Sequence, residues 1–230
     1  VIAIPSAEQT PEQLCGLVEG IAAASQYPRI LAQSGCRVLI PTSISRRMQK
    51  RSFGGGDRGP NLTDREFVYR PAFEMGRHIL GYEVQQVLAG VDWFVRESEG
   101  RKGLPNIGVI GYGDGGQIAL YAGALHPQID VTCVSGYFGP RENIWREPLD
   151  RNVQGLVETF GDAEIASLIF PHALVIDNTP GPSVKLPSEG GGPADYQFPT
   201  AAASEAESRR LFAIANQVPV SPVTHSLATL

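Results

Sequence analysis

The sequence predicts an α/β fold, a mainly parallel sheet with helices on both faces. Three observations point to it. Short apolar runs that read as buried strands recur along the chain, segments of helical period separate them, and the third run opens through a glycine-rich turn into a helix.

Taken in order, residues 1–4 are an apolar run closed by Pro5. Thr10-Pro11-Glu12-Gln13 then reads as a helix start, with Thr10 as N-cap, Pro11 in the first turn and Gln13 closing a capping box. The helix is expected to reach about residue 34, where Gly35 suits a C-terminus, and residues 37–40 before Pro41 form a second strand. Residues 45–66 carry Arg46, Arg47, Lys50, Arg51 and Gly54-Gly55-Gly56 without an apolar period. They read as a solvated surface excursion or, alternatively, a cationic phosphate-binding loop. One long helix is expected over 71–97, with His78 near its apolar face in a structural role.

Residues 107–110 are the third strand, 117–125 a helix, 131–134 the fourth strand and 173–176 the fifth. Residues 137–170, with Trp145 and Phe160, form a short helical excursion between the last two. The stretch 180–199 is rich in Gly, Pro and Ser, so a mobile loop or linker is expected, and a helix over 204–215 precedes a polar tail. The expected organisation is a core over 1–178, a Gly/Pro-rich loop or linker over 179–203, and a C-terminal helix and tail over 204–230.

Composition narrows the function classes. Of 230 residues, 42% are hydrophobic and 19% charged, enough apolar material for one sizeable core. Lys+Arg 19 against Asp+Glu 24 leaves a formal net charge of -5, which argues against a nucleic-acid partner. No apolar run is long enough for a membrane span, and no signal peptide opens the given chain; its compartment is not legible. Because the chain starts inside a strand-like run with no Met, a mature form or a piece of a longer, multidomain protein is expected. Cys15, Cys36 and Cys133 match no CxxC or zinc spacing and are expected to be isolated thiols, so no metal is implied.

In parallel sheets chemistry collects at the carboxyl ends of the strands. The informative turn is Gly111-Tyr112-Gly113-Asp114-Gly115-Gly116. Gly111, Gly113 and Gly116 match the dinucleotide pattern GxGxxG, but that site needs an acid at the end of the next strand, where this chain has Val134-Ser135-Gly136. No cofactor is therefore expected. The competing pattern is a nucleophile elbow, small-x-nucleophile-x-small, with Gly111 and Gly115 in the small positions and Gly113 at the centre. A shifted frame makes Asp114 the nucleophile, with Tyr112 where a small residue is wanted.

On this turn, the strand before it, residues 67–78 and Val134-Ser135-Gly136-Tyr137-Phe138-Gly139, the chain resembles the α/β-hydrolase superfamily, near dienelactone hydrolases and acetylxylan-esterase-like proteins. The resemblance implies a Ser or Cys at Gly113, an acid near Asp177 and a histidine for which His225 is the candidate. It also implies an oxyanion hole from the Asp114 backbone N–H and the turn at Ser6, with Tyr112 beside it. The partner class it implies is a small ester or carbohydrate-derived ligand. Loss of the nucleophile alone removes about 10⁶-fold of triad catalysis, whereas the oxyanion hole and binding retain about 10³ to 10⁴ over water. Two expectations follow. Either this is an esterase-lineage domain without ordinary serine catalysis, kept for structure or ligand binding, or it is an active ester hydrolase with an unusual nucleophile, Asp114 or Ser135, or a serine engineered to glycine.

Overall fold

The structure, a computed structural model, describes residues 1–52, 59–99 and 105–216. In chain order the elements are β1 (Ile2–Ile4), α1 (Pro11–Leu14), α2 (Tyr27–Gln33), β2 (Met48–Lys50), β3 (Asn61–Thr63), α3 (Asp64–Glu74) and α4 (Ile79–Glu97). Then come β4 (Gly108–Tyr112), α5 (Asp114–Leu125), β5 (Val131–Ser135), α6 (Asp162–Ser167), β6 (Ala173–Asp177), β7 (Val184–Leu186), β8 (Ala194–Tyr196) and α7 (Ala201–Ala215). The central sheet runs β1-β4-β5-β6, with every neighbouring pair parallel. This is the α/β architecture expected, with β4 inside the sheet. Ile4 pairs with Gly111, so the loop after β1 lies beside the turn after β4.

The pleat sends alternate side chains to opposite faces. Val109, Val134, Leu174 and Ile176 are buried against the helical layer, where Leu80, Val84, Val87 and Val91 of α4, Ile118 and Leu120 of α5, Ile165 of α6 and Leu211 of α7 complete two contiguous apolar clusters. On the other face Ile110, Cys133 and Val175 are only half-buried, and Ile110 and Cys133 line a cavity together with Tyr27 and the chain leading into α2. Among the described residues no helix is long and apolar enough to cross a membrane.

Several element bounds differ from expectation. The capping box at Thr10 and Gln13 forms, yet the helix stops at Leu14 because Gly16 takes φ +71 and Gly20 φ +129, outside the helical region. The strand over 37–40 shrinks to one parallel bridge: the Ala3 N–H donates to the Leu39 carbonyl and the Leu39 N–H to that of Val1, both at 2.9 Å, and Pro41 then has no N–H to extend the ladder. The long helix over 71–97 is two helices. Gly76 at φ +69 ends α3 while the Arg77 N–H reaches back to the Ala72 carbonyl, and His78 starts α4 as its N-cap. Local backbone chemistry overrode a continuous apolar period at both places.

The stretch 180–199 departs furthest from the open loop expected of it. β7 and β8 pair antiparallel as a hairpin, and the segment is fastened to the body. The Tyr112 hydroxyl donates to the Pro180 carbonyl at 2.9 Å, and the Gly192 N–H donates to Glu66 Oε1 at 2.8 Å. Its glycines let the strap lie close. A Cβ on Gly181 would meet Phe198 at 2.0 Å and the Gly136 carbonyl at 2.2 Å. Composition reported low apolar content correctly but carried no information on the polar anchors waiting on other elements.

Candidate functional site

At the end of β4 the backbone turns sharply through Gly113, at φ 59 and ψ −117, and α5 starts at Asp114. Few side-chain-bearing residues hold such angles without a cost of about 1–3 kcal/mol. The flanking glycines are required by contact: a Cβ on Gly111 would lie 2.0 Å from the Gly115 carbonyl oxygen, and one on Gly115 would lie 2.2 Å from that of Ile4. The turn is thus strained and closely packed, with no side chain at its tip. Its tip is also covered. A Cβ at Gly113 would stand 2.9 Å from both Cγ and Cδ of Pro182 and 3.1 Å from Ser6 Oγ.

Asp114 is 1% exposed and fully engaged. Arg46 grips it with two bonds of 2.9 Å, Ser6 Oγ lies 3.1 Å from Oδ2, the Ala7 N–H donates at 3.3 Å, and Arg151 Nη1 stands 3.0 Å from Oδ1. Burial by itself would raise this carboxyl; Arg46, then Arg151, outweigh it and hold it well below the ordinary carboxylate range. Such a carboxylate is a structural anion, not an accessible nucleophile. Ser6 likewise differs from its expected role as second oxyanion donor, because its N–H is given to Gln9 Oε1 at 3.1 Å. Its hydroxyl meets Glu8 Oε2 at 2.7 Å.

Asp114 is the middle of a chain of buried charges that sequence reading missed. From one end it runs Glu83, Arg65, Asp150, Arg46, Asp114, Arg151, Glu147, Arg141, Asp162, in strict alternation of sign. Arg65 binds both oxygens of Glu83, at 2.6 and 2.8 Å, and Arg141 meets Glu147 at 2.9 Å. Burial opposes the charge on all four arginines, but the acids beside each raise it above its ordinary value. At Asp162 burial wins, and the carboxyl is raised despite Arg141. Arg151 lies 3.0 Å from Asp114 and from Glu147 but off the hydrogen-bond axis; its guanidinium is flanked by the rings of Tyr196 at 4.8 Å, Tyr137 at 5.4 Å and Phe198 at 5.6 Å. Arg46 and Arg65, read from sequence as part of a solvated cationic stretch, are 7% and 0% exposed. The signal available was weak: charged residues lacking an apolar period look alike in a solvated loop and in a buried network.

The remaining candidates fall on the other face of the sheet. Asp177, at the end of β6, accepts from Ser135 Oγ at 2.7 Å and from the Thr179 N–H at 3.2 Å. With Tyr112, Tyr27 and Cys133 they line a cavity of about 600 Å³ at the carboxyl ends of β4, β5 and β6, where ligands bind in open parallel sheets. His225 lies outside the described residues. His78 takes no part, since Nδ1 accepts from the Leu80 N–H at 3.2 Å and Nε2 meets the Asn152 carbonyl at 3.1 Å, while burial lowers its pKa. Cys15, Cys36 and Cys133 are free thiols, and among the described residues no cluster could hold a metal ion.

No family model matches the chain, and no curated protein does. Solved structures do. A candidate acetyl xylan esterase from Bacteroides fragilis superposes with a TM-score of 0.55 at 16% identity, over 78% of this chain and 51% of its own. A glucuronoyl esterase from Solibacter usitatus superposes with a TM-score of 0.51 at 12% identity, over 98% of this chain and 64% of its own. The chain therefore shares the fold of these two proteins and spans between half and two thirds of their length.

Proposed function

We propose that this chain is an esterase-lineage domain that performs no ordinary serine-hydrolase catalysis and serves to bind a small ester or carbohydrate-derived ligand in the cavity beside the elbow. One observation carries the reading. Gly113 occupies the tip of the strained turn, and Pro182 fills the space into which a nucleophile would project. The names of the two structural neighbours, an acetyl xylan esterase and a glucuronoyl esterase, supply the ligand class by analogy of fold alone. Asp114 is sealed beneath two arginines, which argues against the shifted-frame nucleophile.

A second reading keeps catalysis and places it on Ser135, whose hydroxyl donates to Asp177 at 2.7 Å at the cavity wall. That bond orients the serine, yet a carboxylate is a weak base for a hydroxyl, and nucleophilic serines are activated by an adjacent general base. The two readings separate in one experiment. Under the binding reading the chain gives no burst of product with p-nitrophenyl acetate and takes up no fluorophosphonate. Stoichiometric labelling, mapped by peptide mass to Ser135 or Ser6, establishes the catalytic reading instead.

A further inference from the structure

The cavity beside the elbow is electrostatically one-sided. Among its lining residues are no Lys, Arg or His, and Asp177 is its carboxylate. The contrast with the buried charge network is sharp, because Glu83, Asp114, Glu147, Asp150 and Asp162 each have an arginine partner, whereas among the described residues no cation stands within ion-pairing distance of Asp177. The two groups that do hold Asp177 are neutral donors, Ser135 Oγ and the Thr179 N–H. Each carboxylate oxygen accepts more than one bond, so acceptor capacity remains.

The walls select in the same direction. Tyr27 gives its hydroxyl proton to the Ile4 carbonyl at 2.8 Å and Tyr112 gives its own to the Pro180 carbonyl at 2.9 Å. Their rings, rather than acidic protons, are what they leave for an occupant, and an aromatic face attracts a cation. The Cys133 thiol is pushed up to about 11, first by burial and then by the uncompensated charge of Asp177, so it adds no second anion near neutral pH. An acid, two aromatic rings and an absence of basic side chains together repel a carboxylate and hold a positive group.

We infer that the cavity formed by Tyr27, Tyr112, Ser135 and Asp177 is a site for a small organic ammonium, so that the ligand of this domain carries a positive charge. The inference rests on the binding reading above and deepens it by assigning the charge of the occupant. The volume, about 600 Å³, lies in the usual range for small-molecule sites.

The test uses three probes of nearly one shape and different charge: choline, its neutral carbon isostere 3,3-dimethylbutan-1-ol, and the anion 3,3-dimethylbutanoate, titrated calorimetrically into the whole chain at low salt. Choline is expected to bind roughly tenfold or more tighter than the alcohol, and the anion more weakly than either. Asp177→Asn should cut the preference of choline over the alcohol several-fold, leaving the share due to the rings, while Tyr112→Phe, which keeps the ring, and Ser135→Ala, which keeps the carboxylate charge, retain the preference. Equal affinity of choline and alcohol, tighter binding of the anion, or no saturable heat from choline up to about 50 mM, enough for an inefficient seven-atom ligand, overturns the inference. The charge series is run on the unmodified chain, so it decides the matter even if Asp177→Asn does not fold. Fluorophosphonate labelling reports separately on the non-catalytic reading: uptake there removes that reading, and a failure of choline leaves it in place.

Discussion

Gly113→Ala tests the turn after β4 and its cover together. The substitution adds one carbon, and two costs follow from its position. The backbone at φ 59 and ψ −117 is outside the regions that side-chain-bearing residues favour, a strain of about 1–3 kcal/mol. The new Cβ meets the Pro182 ring at 2.9 Å, closer than real Cβ contacts allow, and overpacking of this kind costs about 1–3 kcal/mol more. A combined loss of about 2–6 kcal/mol is a large share of the 5–15 kcal/mol typical of a folded domain. At about 2–4 °C per kcal/mol for a chain of this size, the melting temperature should fall by roughly 5 to 20 °C. The assay is thermal and urea unfolding followed by circular dichroism, repeated in a Pro182→Gly background. There the packing share disappears and the strain share stays, so the double-mutant cycle should return a coupling of about 1–3 kcal/mol. A coupling near zero would show that Pro182 does not rest on the turn, and a fall below about 2 °C in the single variant would show that the turn is not strained.

Three further outcomes are expected. Asp114→Asn leaves Arg46 and Arg151 short of a buried counter-charge and should cost about 3–5 kcal/mol at neutral pH by urea unfolding. The folded carboxyl is held below its unfolded value near 4, so between the two values the unfolded chain binds more protons; the stability contributed by Asp114 is complete above about pH 4 and lost as pH falls through the folded value. The acid limb of a stability–pH curve should accordingly be shallower in Asp114→Asn, and an unchanged limb counts against the assignment. Tyr196→Ala removes a ring flanking Arg151 and the hydroxyl 3.3 Å from Arg141 Nη1, so trypsin at Lys185 should cut the strap several-fold faster, measured by gel and mass spectrometry against the parent chain; equal rates mean that Tyr196 does not fasten it. Gly115→Ala places a Cβ 2.2 Å from the Ile4 carbonyl oxygen, where only backbone movement makes room. Its melting temperature should fall by about 10 °C or more, and a near-parental value would refute the close approach of α5 to β1.

The division between what sequence decided and what folding decided follows the range of the interactions. Buried parallel strands must be apolar on both faces, so residues 1–4, 107–110, 131–134 and 173–176 announced themselves and stand in the sheet as β1, β4, β5 and β6 within a residue or two. The glycine-rich turn after β4 was legible for a related reason: a Cβ at Gly111 or Gly115 would meet a backbone oxygen at 2.0 or 2.2 Å, so glycine is needed for strand, turn and helix to lie at that separation. Termination was less legible. Gly16 and Gly76 end helices through backbone conformation, which a periodic apolar pattern running past them does not register.

The polar architecture was decided mostly by tertiary structure. Glu147 is local to Arg141 and Arg151, but the burial of Arg46, Arg65, Arg141 and Arg151 becomes tolerable only when Asp114, Asp150, Asp162 and Glu83 also arrive from distant parts of the chain to balance them. Much the same holds for the strap over 180–199, where anchors on Tyr112, Glu66 and Arg141 add to the burial of Val184, Ala194 and Tyr196. Hydrophobic burial is a property each residue carries with it, so periodicity exposes it in the sequence; a buried charge is stable only with its partner, and that pairing exists only once the chain has folded.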